Sequence, residues 1–191
     1  MAESKESIGK QVARGTLWSG IDKFGGMALQ FVSNLVLARI LMPSDYGAIG
    51  MLMIFIAVSQ VIVDGGFGSA LIQKKSPTQT DYSTIFLWSV GLGTLLYLLL
   101  FLCAPLIARF YAMPELSAVL RVVAVSIVLM AMSSIQINRL QKRLSFKAIA
   151  AGNISAQVVG AVVGIWMALK GAGVWSLVGS WLSSAASRVL I

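Results

Sequence analysis

Six polar residues stand where a chain this apolar has little reason to keep them: Asp22, Lys23, Gln30, Asn34, Asp64 and Arg121. Asp64 closes the unbroken apolar run Ala48–Val63 and is followed by Gly65-Gly66-Phe67-Gly68. Glycine leaves peptide groups uncovered and favours no single backbone conformation, so the helix is expected to loosen beside the carboxylate. An acid next to a broken helix at membrane depth is costly unless it faces protein or water, and broken membrane helices mark transporter sites. The competing reading is an interfacial helix end, since Lys74 follows only about three turns later. In the first apolar stretch Ser19, Lys23, Gly26, Gln30 and Asn34 recur at helical spacing and make one polar-and-small stripe. A stripe that includes a full charge points to a water-filled cavity rather than to helix–helix hydrogen bonding alone. Lys23 and Arg121 are cations at membrane depth that enter from opposite sides. Each also has a plainer reading, in which the long stem snorkels to the nearest interface and only anchors its helix.

The elements that must position these residues follow from composition. Of 191 residues, 58% are hydrophobic and only 12% charged, and the mean hydropathy is +0.86. Soluble domains carry about twice that share of charge. The chain is therefore read as all-α, a polytopic transmembrane helix bundle. The net charge of +8 does not argue for nucleic acid, because the basic residues fall in short loops between apolar runs. There is no histidine and a single cysteine, Cys103, which excludes His-based catalysis, His metal sites and any disulfide within the chain.

Spans of roughly 20 residues are needed to cross a bilayer. Six apolar stretches qualify: about Leu17–Leu41, Ala48–Val63, Thr84–Ala108, Leu116–Ile137, Ala148–Leu169 and Ala172–Ile191. Met1–Arg14 reads as disordered or lying on the membrane surface, and lacks the pattern of a cleavable signal. Pro43 ends the first helix, Ser44 or Asp45 caps the second, and Pro105 is placed to kink the end of the third. On the fifth, Asn153, Gln157, Gly160 and Gly164 share a face, and the two glycines have the spacing for close helix contact. Loop cations cluster at Lys5–Arg14, Lys74–Lys75 and Arg139–Lys147, against Arg39, Arg109 and Lys170 on the alternate side. The positive-inside rule then places the N-terminus and, after six spans, the C-terminus with Arg188 in the cytoplasm.

Several runs resemble a known family. Leu37-Ala38-Arg39-Ile40-Leu41-Met42-Pro43-Ser44-Asp45-Tyr46-Gly47 and the stretch Asp64–Lys75 resemble the N-terminal lobe of Wzx-type polysaccharide flippases. These belong to the multidrug/oligosaccharidyl-lipid/polysaccharide exporter superfamily. Tyr97–Phe101, Ala104–Tyr111 and Gln141–Phe146 resemble the same group. The resemblance implies two six-helix lobes around a central cavity, rocking to expose it to each face in turn. The polyprenyl tail stays in lipid while the sugar-diphosphate head crosses. On that basis residues 1–191 are expected to form one six-helix lobe, the N-terminal half of a longer transporter of the bacterial inner membrane. Lys23 and Arg121 would meet the diphosphate, and Gln30 and Asn34 the sugar hydroxyls. Asp22 and Asp64 would couple transport to H⁺ or Na⁺, since a partly buried acid has raised proton affinity. The partners implied are lipid-linked oligosaccharide, membrane lipids, and a C-terminal lobe or second copy to close the cavity, with no cofactor besides the coupling ion.

The same residues bear on other classes. The Asp64–Ser69 run is glycine-rich, but no Gly-Lys-Ser/Thr follows and no βαβ unit surrounds it, which argues against a nucleotide loop. No paired carboxylates suit sugar transfer. The second hypothesis is a truncated or split lobe, ending inside its sixth helix, that acts only as a structural or interaction membrane protein. A third is an exporter of small molecules from the same superfamily.

Overall fold

The computed structural model describes residues 2–65, 78–142 and 145–190. Among them every regular element is helical: α1 Ala2–Ile40, α2 Pro43–Asp64, α3 Gln79–Phe110, α4 Glu115–Val123, α5 Val125–Lys142, α6 Phe146–Leu169 and α7 Val174–Val189. Four helical stretches are long and apolar enough to cross a membrane: Pro43–Asp64, Gln79–Phe110, Glu115–Lys142 and Phe146–Leu169. The third of these is α4 and α5 in tandem, joined at Ala124, whose N–H still donates to Leu120 O at 2.8 Å. The protein is thus an all-α polytopic membrane bundle. α1 carries the polar stripe, and α7 has 16 residues; together they complete the packing.

Local sequence sets the boundaries. Pro43 opens α2, where its missing N–H costs nothing. Asp45 caps that helix by accepting from Met42 N–H at 3.1 Å. Thr78 and Asp81 form a reciprocal box at the start of α3: Thr78 N–H donates to Asp81 Oδ2 at 2.8 Å, and Asp81 N–H to Thr78 Oγ1 at 3.3 Å. Pro105 sits inside α3 without ending it. The turn between α6 and α7 needs positive φ twice, at Gly171 (77°) and Gly173 (54°). One boundary differs from expectation. The chain is helical from Ala2, well before Leu17, because the residues ahead of Arg14 are mostly good helix formers and continue a helix already nucleated by the apolar stretch.

The core lies among α2, α3, α4, α5 and α7. Leu52, Ile56, Leu116, Leu120 and Ile127 are its largest fully enclosed aliphatic members, and Val178 brings α7 into it. α1 stands apart from this core and packs chiefly along α6. α6 and α7 form the closest pair, through small residues. A Cβ on Gly160 would come 2.7 Å from Ser180 O, and one on Gly164 2.7 Å from Ser180 Cβ. The Gly160–Gly164 spacing therefore makes the close contact expected of it. Large apolar side chains cover the outside. Phe24 (77% exposed), Leu102 (73%) and Phe110 (83%) are the surface lipid requires and water would not tolerate.

Candidate functional site: a polar cavity between α1, α2, α5, α6 and α7

Because α1 leans on α6 and not on the core, a gap of about 490 Å³ opens between the two packing groups. That volume is in the usual range of ligand pockets. Its walls are a mixture of aliphatic residues and uncharged hydrogen-bonding groups. Gln30, Ser33 and Asn34 come from α1, Tyr46 and Gln60 from α2, and Gln157 from α6. α7 adds Ser180, Trp181, Ser184 and Arg188. Among the described lining residues Arg188 alone is charged.

Several of these groups are only lightly committed. Ser33 Oγ donates to Leu29 O at 2.8 Å, within its own helix. Tyr46 Oη reaches Asn34 O at 3.4 Å and ties the start of α2 to the stripe. Gln60 Nε2 donates to Met130 Sδ at 3.0 Å, and a thioether is a weak acceptor. Gln157 Oε1 and Arg188 Nε are buried and have no hydrogen-bond partner among the described residues. A buried polar group without a partner is uncommon and calls for an explanation.

The sequence-derived candidates fall into three groups. Gln30 and Asn34 line the cavity and are exposed to it. Asp22 and Lys23 lie two turns further toward the N-terminus, outside its lining. Asp22 is half-buried, and its Oδ2 accepts from Asn153 Nδ2 at 3.1 Å, pinning α1 to α6. Lys23 is exposed. One turn on, Gly26 is buried, and a Cβ there would come 2.9 Å from Gln157 Nε2. Asp22, beside the stripe, and Gly26 within it seat α6, while Gln30 and Asn34 face open space. The face shared by Asn153, Gln157, Gly160 and Gly164 divides likewise, with the first two residues toward α1 and the glycines against α7.

Arg121 and Asp64 stand away from the cavity lining. The Arg121 guanidinium lies 4.5 Å from the centroid of the Phe101 ring, and its Nε donates to Phe101 O at 3.4 Å. Those contacts bind α4 to α3. Asp64 is the exposed last residue of α2, and the helix closes on Gly65 in the left-handed conformation, φ 41°. A carboxylate there faces the negative end of the helix dipole. The glycines at 66 and 68 and the lysines at 74 and 75 lie outside the described residues. Elsewhere, cations rest on aromatic rings near helix ends. Arg139 sits 4.6 Å from Tyr82, Lys147 5.7 Å from Trp18 and Lys170 3.8 Å from Trp166, as interfacial anchors do. No group of His, Cys, Asp and Glu suited to a metal occurs among the described residues.

The sequence reading missed Gln60, Trp181, Ser184 and Arg188. A usable signal was present for the last. Ser176, Ser180, Ser184 and Arg188 recur every four residues and make a polar ridge along α7.

Comparison with known proteins adds to this geometry. The family described as polysaccharide biosynthesis protein matches residues 36–191. The succinoglycan biosynthesis transport protein ExoT of Rhizobium meliloti is 29% identical over 94% of this chain and 36% of its own length. The teichuronic acid biosynthesis protein TuaB of Bacillus subtilis is 30% identical over 80% of this chain and 32% of its own. The lipopolysaccharide biosynthesis protein WzxC of Escherichia coli is 26% identical over 81% of this chain and 31% of its own. The chain spans about a third of the length of these curated relatives. No solved structure matches it.

Proposed function

The chain belongs to the polysaccharide biosynthesis proteins of the Wzx flippase type, in the multidrug/oligosaccharidyl-lipid/polysaccharide exporter superfamily, and on that premise we propose that it flips polyprenyl-diphosphate-linked oligosaccharide repeat units for cell-surface polysaccharide. It is a multi-pass inner-membrane protein. The observation that carries the proposal is the lining of the cavity. Amides, hydroxyls and one indole surround about 490 Å³ of space inside a membrane bundle. Sugar hydroxyls leaving water need replacement hydrogen bonds, since an unpaired buried polar group is penalised. The indole of Trp181 offers a flat apolar face to the C–H side of a pyranose ring. A cavity for a hydrophobic drug would need few of these groups.

In this reading six spans cross the bilayer with both ends of the lobe on the cytoplasmic side, and a second lobe or second copy closes the open flank. The lobes rock as α1 moves relative to the core it barely touches, and the polyprenyl chain stays in lipid. Gln30 and Asn34 bind sugar. Lys23, exposed on the same stripe, meets the headgroup at the cavity mouth, and Arg121 is the second cation assigned to the diphosphate. Asp22 and Asp64 are the carboxylates assigned to the coupling ion, H⁺ or Na⁺. No cofactor takes part.

The test is genetic and chemical. Deleting the protein from a cell that makes its glycan is expected to remove surface polysaccharide while fully assembled lipid-linked repeat units accumulate in the inner membrane. Extraction and mass spectrometry of the lipid-linked pool reads this. Unchanged surface polysaccharide without accumulation would refute the proposal.

A further inference from the structure

Antiparallel register places two unpartnered groups at one level of the cavity. Gly164 lies against Ser180, and Gly160 against Ser184. One further turn along the same seam brings Gln157 level with Arg188. Helix rise agrees: Gln157 is about 18 Å from Leu169 and Arg188 about 21 Å from Val174, both well inside a core of about 30 Å. Both side chains line the same cavity. Gln157 Oε1 and Arg188 Nε are each buried and each without a partner among the described residues, so they are not bonded to one another.

Their chemistry is complementary and restrictive. The guanidinium Nε–H can only donate, and an amide oxygen can only accept. A group that satisfies both must present an acceptor and a donor side by side, and the acceptor does best as an anion, because charge-assisted bonds to guanidinium are the strong ones. A diphosphate diester at neutral pH has acceptors only, so with the amide oriented as it stands it would leave Gln157 Oε1 unpaired. A neutral sugar supplies hydroxyls but no charge to match Arg188. A sugar carboxylate beside a ring hydroxyl supplies both.

We propose that Arg188 and Gln157 form a subsite for an acidic sugar, with the carboxylate on Arg188 and the neighbouring hydroxyl on Gln157. This rests on the reading of the cavity as a carbohydrate passage and adds a specificity to it. Gln60 from α2 and Trp181, about two turns from Arg188 on α7, line the same cavity and hold the ring while the two polar groups read its charge. The diphosphate is bound elsewhere on the cargo's path.

The experiment uses the full-length protein in detergent and follows tryptophan fluorescence. The probes are a glucuronic-acid-terminated trisaccharide, the same trisaccharide ending in glucose, and inorganic pyrophosphate. Wild type is expected to prefer the acidic trisaccharide on the order of tenfold or more, as loss of a charge-assisted bond implies. Arg188→Gln should abolish that preference, so that the two trisaccharides bind alike, with an unchanged helical circular-dichroism spectrum reporting that the fold is intact. Arg188→Lys should keep part of it, and Gln157→Leu should weaken the acidic ligand more than pyrophosphate. Equal affinity for the two trisaccharides in wild type, or a preference that survives Arg188→Gln, overturns the subsite and leaves the carbohydrate cavity standing. Pyrophosphate binding that depends on Arg188 as strongly as the acidic sugar does reassigns the residue to the diphosphate and also overturns it. If neither trisaccharide binds, the carbohydrate reading of the cavity fails with it.

Discussion

Replacing Gln30 and Asn34 together by leucine is expected to cut export of the lipid-linked repeat unit roughly thirtyfold per molecule of inserted protein, from about 2 kcal/mol of lost hydrogen bonding in the passage. Both side chains are exposed to the cavity, and α1 owes its seating to Asp22, Gly26 and their partners on α6. Abundance and insertion should therefore stay near wild type, because leucine at these two positions removes no packing and raises helix propensity. The measurement is surface polysaccharide normalised to membrane-inserted protein. Were the stripe only a helix-packing device, the double variant would lose abundance and keep its export per molecule.

A somewhat smaller loss is expected from Asp22→Asn, for a different reason. Asp22 Oδ2 accepts from Asn153 Nδ2 at 3.1 Å. An asparagine at 22 still offers a carbonyl oxygen to that amide, so the tie between α1 and α6 can persist while the negative charge is gone. If this carboxylate takes up the driving ion, cargo binding survives but transport no longer follows the ion gradient, since a ligand shifts a conformational equilibrium only through differential affinity. Export should drop on the order of tenfold, and collapsing the gradient should then change nothing further. Asp64→Asn is the companion variant. An uncoupled phenotype there places the ion at the end of α2, whereas unchanged coupling in both variants removes the carboxylates from the mechanism.

Much of the architecture was legible because lipid makes composition decisive. Long apolar runs have no alternative to helix in a membrane, and their breaks at Pro43, Thr78 and Gly171–Gly173 follow local chemistry. A close helix contact at Gly160 and Gly164 could be read from their spacing, but not that α7 makes it. The site was legible only where its residues share one helix: Gln30 and Asn34 follow from the period of α1. What the period cannot give is which part of a stripe meets a neighbour and which meets open space. Asp22 and Gly26 face α6 while Gln30 and Asn34 do not, and that division depends on where α6 crosses α1. Arg188 was hidden by counting it as a loop cation at a helix end, although its ridge with Ser184 and Ser180 ran through the same sequence. Arg121 shows the reverse problem. Its depth was readable, but its stacking on Phe101, twenty residues away in another helix, was not.

The central claim is that cargo sugar passes through the cavity, and crosslinking from inside it tests that most directly. A photoreactive phenylalanine analogue placed at Met53, which lines the cavity, is compared with one at Leu102, which is 73% exposed on α3 and outside the cavity lining. Both are made in the full-length protein and irradiated in native membranes, and the adducts are identified by mass spectrometry. The account predicts that Met53 captures the oligosaccharide headgroup and that Leu102 captures acyl or polyprenyl chains without sugar. Headgroup adducts absent at Met53, or equal at the two positions, would contradict it.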